Sequence, residues 1–132
     1  MRRETRDRRT PLSAQRITLG LGIFYVAIGI LGFVPGITSN GLLLGIFAVN
    51  ALHNIAHLVI GAALVWGSKS ASITAVNRAM TVVFGLLVIA SFIAPVIEQL
   101  PLNLPDTILH LVSMLITGYL GFATPRSATA FR

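Results

Sequence analysis

Long apolar blocks run along the chain from residue 17 to residue 123, separated by short segments rich in proline, glycine or charged residues. Between Ile17 and Ser68 there is no Lys, Arg, Asp or Glu. A helix of about 20 apolar residues crosses the hydrocarbon core of a bilayer. The pattern therefore predicts four membrane-spanning helices, at about residues 17–34, 41–66, 79–96 and 107–123. The fold class that we predict is all-α: an integral membrane protein built as an antiparallel bundle of four transmembrane helices.

The segments between these blocks predict the domain organisation. The first connection is predicted to be a short turn at residues 35–40. Gly41 and Gly45, four residues apart, are predicted to form a helix-packing motif on the second helix. Asp106 is expected to cap the fourth helix, where a carboxylate is favourable beside free backbone N–H groups. The predicted regions are a basic cytoplasmic arm at 1–16, a four-helix transmembrane domain at 17–123 and a short basic cytoplasmic tail at 124–132.

Composition and charge agree with this fold and indicate a partner. Hydrophobic residues make up 55% of the chain and charged residues 11%, where a soluble domain has roughly a quarter charged. Six of the ten basic residues lie in the first sixteen positions, so we expect the N-terminal arm to contact membrane lipids with anionic headgroups. No basic stripe exists outside this arm, which argues against nucleic acid as a partner. Cysteine is absent, which excludes disulfides, iron–sulfur clusters and Cys-ligated zinc.

The distribution of basic residues predicts the orientation of the bundle. The N-terminal arm, the second connection and the C-terminal tail together hold all ten Lys and Arg residues, and the first and third connections hold none. Basic residues concentrate on the cytoplasmic side of membrane proteins. We therefore predict a multi-pass plasma-membrane protein with both termini in the cytoplasm.

Polar residues interrupt two of the apolar blocks. In the second block two His and two Asn residues have the spacing i, i+3, i+4, i+7, which is one face of a helix. In the fourth block an Asp, a His and a Ser also share a face, and the Asp and His are one turn apart and able to pair. Buried polar groups need partners in hydrocarbon, so the two helices are predicted to face each other across a polar seam, with Tyr25 and Tyr119 closer to the cytoplasmic half. The candidate buried polar site consists of Asn50, His53, Asn54, His57, Asp106, His110 and Ser113.

The favoured interpretation of this seam is structural. It makes the protein an accessory membrane protein in which neutral imidazoles and amides specify helix packing or bind a partner. A second copy of the chain and another membrane protein are both open as that partner. Catalysis is not expected, because the His-Asn-x-x-His pattern at residues 53–57 lacks the Glu that zinc hydrolases with helical His pairs use as a base. Ser91 and Ser113 lie in no nucleophile elbow.

The alternative is a ligand site on the same face. His53 and His110 are at matched depth, each sixteen residues before a basic residue, and two such His residues can clamp a b-type haem. His53 and His57 can instead share a divalent metal ion, with His110 as third ligand and Asp106 hydrogen-bonded behind it. A third alternative is proton or small-solute transit, since His titrates near neutral pH. We expect no cofactor, with haem b and a divalent metal ion as the alternatives.

The sequence motif that contains the polar residues of the second block is similar to one in a known family. It reads Gly-x-Phe-x-x-Asn-x-x-His-Asn-x-x-His-Leu-x-x-Gly from Gly45 to Gly61, and residues 29–37 precede it with Gly-Ile-Leu-Gly-Phe-Val-Pro-Gly-Ile. Both segments resemble a family of small actinobacterial membrane proteins classified as a domain of unknown function, DUF4383. The resemblance covers most of residues 18–121. It implies four helices in a cell membrane and no particular reaction, and the first connection is predicted to be shorter than in that family.

Overall fold

The structure, a computed structural model, describes residues 12–123 and contains five α-helices and three short strands in this range. The helices are α1 (Leu12–Leu31), α2 (Ala51–Ser68), α3 (Ile73–Ala90), α4 (Ala94–Gln99) and α5 (Leu104–Gly118), which continues into a π-helical turn at Tyr119–Ala123. The strands are β1 (Thr38–Ser39), β2 (Leu42–Leu43) and β3 (Phe47–Ala48). Helices α1, α2, α3 and α5 are long and apolar enough to cross a membrane. The prediction of an all-α bundle of four transmembrane helices is confirmed.

The observed bounds of all four spanning helices differ from the predicted ones. Helix α1 begins at Leu12, so residues 12–16 belong to the first helix rather than to the arm. Helix α3 begins at Ile73 rather than at residue 79. It ends before Pro95, which lies at the start of α4, where the missing N–H of proline costs no helical hydrogen bond. The rest of the predicted arm, residues 1–11, and the predicted tail, residues 124–132, lie outside the described residues.

The connection between α1 and α2 is the largest departure from prediction. Residues 41–49, predicted to be helical, belong to an antiparallel three-stranded sheet in which Thr38 pairs with Leu43 and Leu42 with Ala48. Asn40 and Gly41 form the first turn, both with positive φ, and Gly45 lies in the second turn at φ 71°. Glycine adopts this backbone conformation at little cost. The two glycines therefore shape turns and form no helix-packing motif, and the connection is long rather than the short turn that was predicted.

The spanning helices pack as two close pairs. Helices α1 and α2 make the most extensive contact, followed by α3 and α5. The backbones of the first pair approach closely where Gly22 faces Gly61: a Cβ added to Gly61 would lie 2.6 Å from the backbone N of Val26 and 2.7 Å from the carbonyl O of Gly22. In the second pair Arg78, predicted to lie in a loop, is on α3 and donates from Nε to the carbonyl of Gly121 at 2.6 Å.

The second and fourth spanning helices face each other diagonally and do not form a closely packed pair. Helix α2 packs mainly on α1 and also contacts α3, whereas α5 packs on α3. Helices α2 and α5 therefore lie across the bundle from one another. Their imidazole rings nevertheless meet in the interior, as predicted: the ring of His110 on α5 lies 6.1 Å from that of His53 and 6.2 Å from that of His57 on α2.

Hydrogen bonds hold together the end of the bundle formed by residues 32–50 and 91–103, which we call the sheet end. Asn103 caps α5 in a reciprocal capping box with Asp106. The Oδ2 atom of Asp106 accepts from the backbone N–H groups of Asn103, at 3.0 Å, and Ala48, at 3.2 Å. Asn50 donates from Nδ2 to the carbonyl of Gln99 at 2.9 Å. Asp106 thus takes part in the cap as predicted, but as the third residue of the helix, with Asn103 as the capping residue. The same carboxylate ties the sheet to α5.

Candidate metal centre

Three imidazoles gather in one place inside the bundle. The ring centroids of His53 and His57, one turn apart on α2, are 4.3 Å apart. The ring of His110 on α5 lies 6.1 Å from the first and 6.2 Å from the second. All three side chains are 1–2% exposed. One ring nitrogen from each residue can be chosen so that all three nitrogens lie within 4.8 Å of one another.

None of the six ring nitrogens has a hydrogen-bond partner in the described part of the chain. The ring of His53 lies beside the backbone of Ala48 and Pro101 at the sheet end, but without the geometry of a hydrogen bond. A buried polar atom without a partner costs roughly 1–3 kcal/mol. A cluster with three such side chains is therefore costly unless something else satisfies the nitrogens.

Aromatic side chains form the wall of the cluster on the side away from the sheet end. The ring of Tyr25 on α1 contacts that of His57 edge-on at 5.4 Å. Phe84 on α3 stacks against His110 at 6.1 Å and contacts Tyr25 at 5.2 Å with the two rings tilted. The Tyr25 hydroxyl hydrogen-bonds the Oγ of Ser113 at 2.8 Å. All four spanning helices thus contribute a side chain to the cluster or its wall.

Other residues of the predicted site occupy different environments. Asn50 is exposed and caps α2 by accepting from the backbone N of His53 at 2.8 Å, so its prediction as a buried site residue is wrong. Asn54 is buried and packs against the Cα of Gly32, which leaves no room for a Cβ there. The side chain of Asn50, by contrast, is held at the start of α2 by its hydrogen bonds to His53 and Gln99, so it does not enter the bundle.

Asp106 and Tyr119 also depart from their predicted surroundings. Asp106 is fully buried, but its hydrogen bonds go to backbone N–H groups and none goes to His110. Its Oδ1 atom has no partner among the described residues. Tyr119, at the start of the π-helical turn, is 65% exposed and lies outside the polar seam. His110 and Ser113 are both buried, on the face predicted for them.

Two features of the interior were missed in the sequence. Phe84 looks like any core residue of an apolar helix, and no sequence signal marks it as a wall of the cluster. The predicted bounds of the helices put Asn77 in the second connection, but it is buried in α3 and donates from Nδ2 to Thr18 Oγ1 at 3.0 Å. The spacing of Asn77 and Thr81 by one helical turn was a usable signal, since Thr81 in turn hydrogen-bonds Thr117 at 3.1 Å.

The three imidazoles fit the requirements of a metal ion. Neutral imidazole binds zinc, copper, iron and nickel, with a metal–nitrogen distance of about 2.0–2.1 Å for zinc. In a tetrahedral set the ligating nitrogens are then about 3.3 Å apart. Starting from separations within 4.8 Å, each ring has to move inward by less than about 1 Å.

Comparison with known proteins gives a family but no activity. The model of a family described as Domain of unknown function (DUF4383) matches residues 15–123. No curated protein and no solved structure matches the chain.

Proposed function

Since this chain belongs to the DUF4383 family, whose description assigns no activity, its own residues have to carry any functional argument, and we propose that it is an integral membrane metal-binding protein. His53, His57 and His110 are the proposed ligands of one divalent transition-metal ion. The observation that carries the proposal is the convergence of three buried imidazoles with no hydrogen-bond partner in the described chain.

The same observation favours metal binding over helix packing as the role of the imidazoles. If the imidazoles served to pack the helices, we would expect them to donate to one another or to nearby oxygen atoms, as Tyr25 does with Ser113. Asn77 behaves in this way in part: its Nδ2 donates to Thr18, although its Oδ1, like that of Asn54, has no partner among the described residues. The imidazole cluster differs from these amides, because its nitrogens converge and all of them lack a partner. A metal ion would satisfy three of these nitrogens at once.

The geometry favours an ion over a haem. A haem held by His53 and His110 would have its plane between the two rings. The ring of His57 is 4.3 Å from one of them and 6.2 Å from the other, so it would lie within the area that the macrocycle needs. Tyr25 and Phe84 fill the adjoining space. A single ion needs none of this space.

The proposed location is the plasma membrane, with both termini in the cytoplasm. The sheet end contains no Lys or Arg, and Lys69 lies in the connection at the opposite end of the bundle. By the positive-inside rule the sheet end would face outward, which puts the metal centre in the outer half of the bilayer. The N-terminal arm, with its five Arg residues in the first nine positions, would contact anionic headgroups of the inner leaflet.

The decisive experiment measures metal content and affinity of the purified protein. Because the chain has only three His residues, the affinity tag must contain no His. The protein is stripped with chelator in detergent, incubated with zinc, cobalt or nickel, and analysed by elemental mass spectrometry and calorimetry. We expect one ion per chain. His53→Gln, His57→Gln and His110→Gln are each expected to weaken binding by at least about a hundredfold, since each removes one of three protein ligands.

Asn77→Ala serves as the control, because Asn77 is also buried and polar but lies away from the imidazoles. It is expected to bind metal like the unmodified protein. The metal should also raise the unfolding temperature of the unmodified protein and of this control, and leave that of the His variants unchanged. Purified protein that takes up no stoichiometric metal, or His variants that bind as tightly as the control, would refute the proposal.

A further inference from the structure

A buried pair of hydroxyls lies next to the proposed metal centre. Tyr25 and Ser113 hydrogen-bond each other at 2.8 Å, on different helices, and both side chains are buried. Ser113 is one turn after His110 on α5, and the ring of Tyr25 contacts that of His57. The pair therefore adjoins two of the three proposed ligands, one on each side of the bundle.

One of the two hydroxyl hydrogens in this pair has no acceptor. Each hydroxyl has one hydrogen to donate and two lone pairs. Their mutual hydrogen bond uses one of the two hydrogens, and neither side-chain oxygen makes another hydrogen bond in the described part of the chain. One O–H group thus has no acceptor within a buried, largely apolar region, where it is costly to leave it so.

The proposed metal centre lacks a fourth ligand and one negative charge. Three His ligands leave one position open on a four-coordinate ion. Neutral imidazoles bring no charge to a buried dication. Among the described residues the only carboxylates are Asp106, which is buried, and Glu98, which is exposed. One nearby carboxylate offsets half of the charge of a dication, and an isolated buried charge is expensive. A single anion at the open position would offset the other half.

We infer that the metal centre takes a small inorganic anion, hydroxide in the absence of another, as its fourth ligand, and that the Tyr25–Ser113 pair donates a hydrogen bond to it. Tyr25 is thereby a positioning residue for the anion. The inference rests on the proposed function. The hydroxyl pair has a free hydrogen-bond donor, and the metal ion has an open coordination position. The ligand is an anion rather than a neutral molecule because the site has one uncompensated positive charge.

The test uses the cobalt-loaded protein and azide as the anion. Cobalt(II) has visible absorption bands that change when the fourth ligand changes, so a titration with sodium azide gives the anion affinity directly. We expect the unmodified protein to bind azide. Tyr25→Phe should weaken azide binding by roughly tenfold or more, because it removes a hydrogen bond to a charged group, and should still take up one cobalt ion per chain when cobalt is in excess. Tyr119→Phe is the matched control, since that tyrosine is exposed, and should bind azide like the unmodified protein.

A second variant, Ser113→Ala, removes the other hydroxyl at little change in volume and serves if Tyr25→Phe does not fold. It is also expected to weaken azide binding. Cobalt-loaded protein whose bands do not respond to azide, or a variant of the pair that binds azide as tightly as the Tyr119 control, would overturn the inference and leave the metal site in place. Protein that binds no cobalt would instead overturn the proposed function.

Discussion

The crossing of α1 and α2 offers a sharp test of the fold, because Gly61 faces backbone there. In Gly61→Ala the new methyl carbon would lie 2.6 Å from the backbone N of Val26 and 2.7 Å from the carbonyl O of Gly22. Neither atom belongs to a flexible side chain that can turn away. The two helices have to separate, or one has to rotate, before the methyl group fits.

The size of the effect follows from this distance. Contacts between non-bonded heavy atoms are comfortable at about 3.5 Å or more, so the crossing has to open locally by roughly 0.8–0.9 Å. A gap of 0.5–1 Å loses about a quarter to a half of the attraction between the facing atoms. Overpacking of this kind costs about 1–3 kcal/mol. Replacing a helical glycine by alanine returns up to about 1 kcal/mol, so we expect a net destabilisation of about 1–2 kcal/mol.

Gly20→Ala is the matched control for this measurement. Gly20 lies on the same helix pair, in α1, and a Cβ added there would meet nothing within 4 Å. It gains the helix propensity of alanine without the clash, so its stability should be unchanged or slightly higher. Thermal unfolding of both variants in the same detergent, followed by circular dichroism, makes the comparison. Equal unfolding temperatures for the two variants would refute the close crossing of α1 and α2.

Two further predictions concern the sheet end. Asp106→Asn replaces a carboxylate that accepts from two backbone N–H groups, and we expect a loss of about 1–3 kcal/mol with faster hydrogen exchange at the amide of Ala48. The exposed Glu98→Gln should change neither, and equal exchange in both variants would contradict the role given to Asp106. For orientation, the absence of cysteine allows single-cysteine labelling: a membrane-impermeant maleimide should label Ser39→Cys in intact cells and Ser72→Cys only after lysis. Labelling of Ser72→Cys in intact cells would reverse the topology.

The three-stranded sheet at residues 38–48 was not predicted, although one dipeptide in the sequence indicates it. The absence of charge from residue 41 onward suggested a long second helix, because an apolar run by itself does not distinguish helix from strand. The dipeptide Asn40-Gly41 was the contrary signal, since both residues adopt positive φ readily and Asn-Gly favours a two-residue hairpin turn. Asn50 marks the true start of α2 as a capping residue. Its helical spacing from His53 and His57 predicts a site residue instead, because spacing alone does not show where a helix begins.

The sequence by itself determined the class of the protein, four spanning helices, and the helix faces on which His53, His57 and His110 lie. These properties follow from local periodicity and from the cost of placing charge in hydrocarbon, and both can be counted along a chain. Only the tertiary structure decided which helices pair, because the close approach of Gly22 and Gly61 depends on how two helices fit together. It also decided that three imidazoles share one space while Asn50 does not. Convergence of side chains from separate helices is set by crossing angles and backbone distances, which no single segment encodes.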